Sequence, residues 1–156
     1  MSDEYIAGLF DGEGCVSISQ VKANRNKFHV RIAIGMTDKQ VIYKLRDINF
    51  GNVHKDERIR NGKKCRTMYI WSVTGPKATE FLKKIRPYVI VKKIQVEAAL
   101  VLREIQENFQ PKTKILNVKG KFISGHGLTK EELEERLSLK KIVQEANYGK
   151  SGIYIN

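Results

Sequence analysis

Two acidic residues, Asp11 and Glu13, close a short glycine-rich segment near the amino terminus. The spacing of this segment predicts a helix over residues 3–12, which the glycines at 12 and 14 then end. Negative charge at the carboxyl end of a helix opposes the helix dipole. A divalent cation or the amide groups of a partner helix would compensate, and hard cations such as magnesium prefer carboxylate oxygens. The residues alone leave two alternatives open: a cation site, or a glycine-rich helix end with incidental acids.

Gly8 and Gly12 lie four residues apart, on one face of that predicted helix. Because glycine has no side chain, a second helix would be able to approach this face closely. The same spacing is known from helix pairs in membranes, so its use here is an analogy.

The composition favours a polyanionic partner. The chain has 29 Lys and Arg against 17 Asp and Glu, for a formal net charge of +12 in 156 residues. This excess favours nucleic acid over an acidic membrane surface. We expect one domain over residues 1–156, with a core over 3–107 and a helical appendage over 108–156.

Targeting and cysteine patterns indicate an intracellular protein. The sequence begins with the acidic Met1–Glu4 instead of a basic signal peptide, and no apolar run approaches the roughly 18 residues that span a bilayer. Cys15 and Cys65 lack the spacing of a zinc or redox site, so we expect reduced thiols and no zinc.

Hydropathy patterns predict two hairpins, each preceded by a helix. The strands are expected over 15–19 and 28–34, and near 52–59 and 65–73, with Trp71 and Tyr69 inward and Arg66 outward. The other helices are expected over 38–48, capped by Thr37, from Gly75 to Pro87, over 88–107, and from Thr129 after a loop over 108–128. This order predicts an α/β protein of the α+β type, with an αββαββα core, C-terminal helices and an antiparallel sheet that leaves one face open.

The run from Ile6 to Gly14, IAGLFDGEG, resembles the signature of the LAGLIDADG homing endonucleases, with Glu13 in place of the usual last Asp. The similarity extends over residues 3–107, through Thr37-Asp38, Phe50-Gly51 and the run PYVIVKKIQ from Pro87 to Gln95. Residues 108–156 match the family poorly. The chain holds one copy of the motif, so the resemblance implies a homodimer that reads a near-palindromic site. The residues expected at its interface are Ala7, Gly8, Asp11 and Gly12.

The resemblance also implies a chemistry, namely metal-dependent phosphodiester hydrolysis that makes a double-strand break in a long DNA target during intron homing. Glu13 would bind the metal together with the main-chain carbonyl of Gly12. The expected cofactor is Mg²⁺ or Mn²⁺, with Ca²⁺ binding without supporting cleavage. Asp38 matches a position that orients the attacking water, and Lys92 matches a basic residue that polarises the water or steadies the phosphate. Each has a simpler alternative: an acid in the first turn of a helix, and one of many surface lysines.

The open face of the sheet would then form a saddle that follows the major groove. The residues whose donors and acceptors suit base edges are Ser17, Ser19, Arg25, His29, Arg31, Asn52, His54, Asp56, Arg58 and Arg66. For each of them, the simpler alternative is a polar side chain that is exposed to solvent and contacts no DNA.

Two other classes of protein remain open at this stage. One is a binding-only protein of the same fold, either an intron-splicing maturase that grips intron RNA or a non-cleaving DNA-binding protein. Such a protein would be expected to lose the metal carboxylate, and Glu13 is present. The other is a basic structural protein such as a ribosomal protein, but this alternative does not explain why the motif is present.

Overall fold

The computed structural model describes residues 1–21, 24–60, 62–109, 115–116, 122–123 and 128–149, without the side chains of 24–26, 60, 115–116 and 122–123. The helices are α1 (Asp3–Glu13), α2 (Lys39–Asn49), α3 (Gly75–Ile85), α4 (Lys93–Asn108) and α5 (Lys130–Asn147). The strands are β1 (Gly14–Val21), β2 (Asn24–Met36), β3 (Asn52–Asp56), β4 (Ile59–Arg60), β5 (Lys63–Lys64), β6 (Met68–Thr74), β7 (Ile115–Leu116) and β8 (Phe122–Ile123). The predicted αββαββα order is confirmed.

Four strands form one antiparallel sheet in the order β1-β2-β6-β3. Because side chains alternate across a strand, β1 buries Val16 and Ile18 while Ser17 and Ser19 stay exposed. The buried face continues through Ile32 and Trp71 and shares one hydrophobic core with residues from all five helices. One face of the sheet is therefore covered by the chain itself and the other is open, as predicted.

Helix α1 is fastened to this core by one side. Ser2 caps its start, since Ser2 Oγ accepts a hydrogen bond from the Tyr5 amide at 3.3 Å. Ile6 and Phe10 are fully buried, and the Phe10 ring meets Phe81 edge-on with 6.1 Å between centroids. The chain passes directly from α1 into β1, so the carboxyl end of the helix lies at the end of the first strand.

The turn between α2 and β3 needs glycine. Gly51 has a φ of 91°, and a Cβ built there would lie 2.7 Å from both Trp71 Nε1 and the Ser72 carbonyl oxygen. The close approach lets the Trp71 indole donate a 2.5 Å hydrogen bond to the Phe50 carbonyl. The largest core side chain is thus satisfied by the turn that positions β3.

The structure corrects several element boundaries. Asp38, and not Thr37, caps α2. The helix expected from residue 88 begins at Lys93, because residues 86–88 form a 3₁₀ turn and Val89 is extended. The second hairpin divides into the β3–β6 pair and a small β4–β5 ribbon, and β7 pairs with β8 inside the region expected to be a loop.

The C-terminal helix α5 belongs to the same core. Thr129 and Glu132 form the predicted capping box, with hydrogen bonds of 3.2 and 2.8 Å. Val143 is fully buried, and Asn147 Nδ2 donates to the Val16 carbonyl of β1 at 2.8 Å. Among the described residues, no helix has the length and apolar character needed to cross a membrane.

Candidate active site and nucleic-acid interface

Asp11 is held entirely within its own chain. Its carboxylate accepts hydrogen bonds from the main-chain amides of Ile90, at 2.7 Å, and Lys92, at 3.0 Å. The Lys92 ammonium in turn donates to the main-chain carbonyl of Asp11. Segments about 80 residues apart in sequence are thereby joined at the carboxyl end of α1. Asp11, which we predict to lie at the dimer interface, thus serves as an anchor within its own chain, and its part in an interface stays a prediction.

Glu13 has the opposite environment. It is the last residue of α1 and is exposed, and its carboxylate has no hydrogen bond or ion pair with any described residue. The preceding residue, Gly12, is exposed as well. The carbonyls of the last helical turn lack intrahelical partners and add to the negative potential. The ammonium that neutralises part of this charge is that of Lys92, held at the Asp11 carbonyl.

These groups fit a divalent cation by their chemistry. A carboxylate without a partner and a main-chain carbonyl are oxygen ligands of the kind that magnesium and calcium take. The described part of the chain contains no cluster of three or more metal-ligating side chains. Glu13 and Gly12 supply only part of a coordination shell, so the remaining ligands must come from water, a phosphate or a second copy of the chain.

Gly8 and Gly12 leave part of the exposed face of α1 bare of side chains. A Cβ built at Gly8 or Gly12 meets nothing within 4 Å. Exposed apolar groups lie beside these glycines. Tyr5 is 52% exposed, and Ile90 and Val91, next to Asp11, are 82% and 73% exposed. We call Tyr5, Gly8, Gly12, Ile90 and Val91 the α1 strip.

The predicted interface residue Ala7 does not belong to this strip. Its side chain is fully buried in the core of its own chain. In a helix, position 7 faces almost opposite to the exposed positions 5 and 12, so burying one side removes it from the other. Ala7 therefore has no side-chain surface to offer a partner.

Asp38 has a visible local role. Its Oδ1 accepts hydrogen bonds from the amides of Gln40, at 2.8 Å, and Val41, at 3.1 Å, as an N-cap does. Its Oδ2 has no partner among the described residues. Gly14 pairs with Ile34, so the end of α1 and the start of α2 lie at the same end of the sheet. The water-orienting role of Asp38 stays a prediction.

The strand register arranges most of the expected recognition residues on the open face. Ser19 stands opposite His29, Arg31 stands between Ser17 and Thr74, and Asn52 pairs with Ser72. The predicted recognition residues of these strands share an exposed surface: Ser17, Ser19, His29, Arg31, Asn52 and His54. Arg25 lies in β2, but its side chain is outside the described residues. We call this face, with the open side of β6, the open sheet face.

Sequence reasoning missed the contribution of β6 to this face. The side chains of β6 alternate between the two faces of the sheet, with Tyr69, Trp71 and Val73 inward. This alternation predicts that the residues between them lie on the open face, namely Met68, Ile70, Ser72 and Thr74. A Cβ built at Gly35 would lie 3.3 Å from both Ile70 Cγ1 and Met68 Sδ. These two side chains thus cover the glycine and form an apolar patch within a polar surface.

The remaining recognition residues surround the β4–β5 end of the sheet. Asp56, Arg58, Cys65, Arg66 and Met68 line part of a depression of about 450 Å³. Asp56 accepts a 2.6 Å hydrogen bond from Arg58 Nε. That bond holds the pKa of Asp56 below its usual value, against the opposing effect of partial burial.

Comparison with known proteins identifies the class. The family model described as LAGLIDADG endonuclease matches residues 6–95, more than half of the chain, so the chain belongs to the LAGLIDADG endonuclease family. No curated protein sequence is significantly similar to it. The match includes the glycine-rich helix, the sheet and the segment that carries Lys92, and it ends before the C-terminal region.

Solved structures share the fold at low sequence identity. A crystal structure of the homing endonuclease I-CvuI with its target and calcium has a TM-score of 0.63 at 18% identity, over 99% of this chain and 84% of that chain. The homing endonuclease I-TnaI has a TM-score of 0.60 at 18% identity, over 97% and 99%. I-GzeII, a LAGLIDADG homing endonuclease solved with its DNA target, has a TM-score of 0.64 at 15% identity, over 90% of this chain but 44% of that one.

Proposed function

We propose that this protein is a site-specific endodeoxyribonuclease that acts as a homodimer and makes a double-strand break in a long, near-palindromic DNA target by metal-dependent hydrolysis. The observation that carries the proposal is the exposed Glu13, which has no partner among the described residues and ends a helix whose exposed face is bare at Gly8 and Gly12. Family membership supports the nuclease class. The proposal adds the assembly, the cofactor and the type of cut.

The bare face of α1 supports assembly with a second copy. Gly8 and Gly12 leave room for close approach of another helix, and Ile90 and Val91 expose apolar side chains beside them. A two-fold axis through this strip would pair it with itself, as symmetric interfaces require. It would bring two Glu13 carboxylates together, and these repel unless cations lie between them. Dimer formation and metal binding would therefore support each other.

Hydrolysis requires water to attack phosphorus on one side while the bond to the leaving sugar oxygen breaks on the other. Magnesium held by Glu13 and the Gly12 carbonyl would supply charge neutralisation and a more acidic bound water. The Lys92 ammonium, fixed at the Asp11 carbonyl, would place a second positive charge near the phosphate. The free Oδ2 of Asp38 would accept a hydrogen bond from the attacking water and so orient it.

The open sheet face supports recognition of double-stranded DNA. It presents hydroxyls, imidazoles and a guanidinium in two-residue steps along adjacent strands. Such groups match the donors and acceptors of base edges in the major groove. The net charge of +12 favours the phosphate backbone regardless of sequence. Structures of I-CvuI and I-GzeII, which share the fold, contain target DNA.

The test is cleavage of a randomised duplex DNA library by the protein and by Glu13→Gln, with magnesium present. The wild type is expected to cut one long site on both strands. Glu13→Gln is expected to lower the cutting rate by about a thousandfold or more, because it removes a metal ligand, while binding to the same site survives. Glu4→Gln, at the other end of the same helix, is the matched control and should cut normally. Equal cutting by the wild type and Glu13→Gln would contradict the role of Glu13.

A further inference from the structure

Asp56 and Arg58 form an ion pair whose geometry suits a role other than stabilising the fold. Asp56 Oδ2 accepts a 2.6 Å hydrogen bond from Nε of Arg58, and Nη2 of Arg58 forms an ion pair with the same oxygen. The Asp56 side chain is 23% exposed and the Arg58 side chain 70% exposed. The carboxylate is thus partly embedded in the sheet, while the guanidinium extends into solvent.

The bonds occupy one particular edge of the guanidinium. Arginine has five N–H donors in a planar fork. Asp56 engages the edge formed by Nε and Nη2, which leaves one N–H of Nη1 and one N–H of Nη2 side by side on the outer edge. Nη1 has no partner among the described residues. This outer edge can donate two parallel hydrogen bonds to O6 and N7 of guanine.

The backbone of Arg58 is held as well. Its carbonyl accepts a 2.8 Å hydrogen bond from the Cys65 amide, across the ribbon that β4 and β5 form. Asp56 stands opposite Met68 on the open sheet face, two residues along from His54. Arg58 is therefore fixed at both ends, at the edge of the surface proposed to meet DNA.

We infer that Arg58 reads a guanine in each half-site of the target and that Asp56 is the positioning residue that orients its guanidinium before DNA arrives. An exposed ion pair of this kind contributes little to folding. Its effect lies in binding, because an arginine already held in its bound rotamer loses less freedom when it meets a base. The inference rests on the proposed DNA-binding function and changes the role of Asp56 from base contact to support.

The experiment is selection of bound sequences from a random duplex DNA library with calcium in place of magnesium, followed by sequencing. Wild type is compared with Arg58→Ala, Arg58→Lys, Asp56→Ala and the double variant. Glu57→Ala is the matched control, since it removes the same charge from the same hairpin. Within the described part of the chain, the one ion pair it removes is a 3.7 Å contact with Lys55. Circular dichroism of each variant checks that the fold is unchanged.

Arg58→Ala is expected to lower the guanine preference at one position of each half-site by about tenfold or more, and Arg58→Lys to do nearly the same, because lysine lacks the planar fork. Asp56→Ala is expected to lower the preference at that same position by about threefold to tenfold. The double variant should match Arg58→Ala alone, and Glu57→Ala should keep the wild-type profile.

Two results would overturn the inference, and they are distinguishable. If wild type enriches a sequence but Asp56→Ala leaves the Arg58-dependent position unchanged, or alters another position instead, the support role is wrong and the proposed function stands. If wild type enriches no sequence, the proposed function fails and the inference falls with it.

Discussion

The outer face of α1 and the open sheet face are both left uncovered by the chain, but they are uncovered in opposite ways. The helix face carries glycine at positions 8 and 12, with nothing within 4 Å of an added Cβ. The sheet face carries exposed polar side chains such as Ser17, His29 and Arg31. A bare backbone surface allows close packing against protein, whereas a surface of donors and acceptors suits base edges. The contrast therefore suits the helix face to dimer assembly and the open sheet face to DNA recognition, as proposed.

The inner sides of the two elements are both buried in the same core. The inner side of α1 buries Ile6 and Phe10, and the inner side of the sheet buries Ile32 and Trp71, all in one core. Each element is held firmly by one face, which leaves the other free of a role in folding. Changes on the outer faces are accordingly expected to alter association or recognition more than stability.

Adding a side chain to the bare helix face should have the largest effect of this kind. Gly8→Leu is expected to weaken self-association by about 10- to 150-fold, because the branched side chain overpacks the proposed interface. Folding of the single chain should not suffer, since leucine is a better helix former than glycine. Sedimentation should show a shift toward the 17.9 kDa single chain.

The control for Gly8→Leu is Lys44→Leu, which adds the same side chain to an exposed position of α2. It should leave association unchanged. Self-association of Gly8→Leu at wild-type strength, with or without DNA, would contradict the assignment of the α1 strip.

Removing the anchor beneath the helix end should reduce stability instead. Asp11→Ala leaves the part-buried amide of Lys92 without its acceptor, which costs about 1–3 kcal/mol, whereas the exposed amide of Ile90 can bond to water instead. We expect a loss of about 2 kcal/mol in the free energy of unfolding, measured with urea.

Asp47→Ala is the matched comparison for Asp11→Ala. Among the described residues, its carboxylate pairs with Arg46 alone, on the surface of α2, where an ion pair contributes little. Equal destabilisation by the two variants would show that the Asp11 bonds are no more important than a surface pair.

Removing a side chain from the sheet face should have the smallest and most local effect. Arg31→Ala is expected to weaken binding to the preferred DNA site by about 1–2 kcal/mol and to relax preference at one position of each half-site. Titration of labelled duplexes that differ at single positions measures both changes. Thermal unfolding should be unchanged.

Lys44→Ala removes the same charge as Arg31→Ala from the helical layer and should leave sequence preference intact. A uniform loss of affinity across all sequences in Arg31→Ala would instead indicate a phosphate contact.

Much of the fold followed from local patterns. Strict alternation in residues 15–19 and 28–34 predicted the first hairpin, and the Thr129–Glu132 capping box predicted the start of α5. The segment before Lys93 was predicted wrongly because its apolar residues Val89, Ile90 and Val91 read as a helical continuation. Their conformation depends on the carboxylate of Asp11, which holds the amides of Ile90 and Lys92 from a distant part of the chain.

The sequence by itself determined the family motif, the unusual Glu13, the basic charge and the alternation that leaves one sheet face open, because these depend on residue type and short spacing. Only the tertiary structure decided which acids are free. It satisfied Asp11 with amides about 80 residues away, turned Ala7 into the core, and paired Asp56 with Arg58. Hydrogen-bond partners depend on distances across the fold, and those distances are set by how the elements pack.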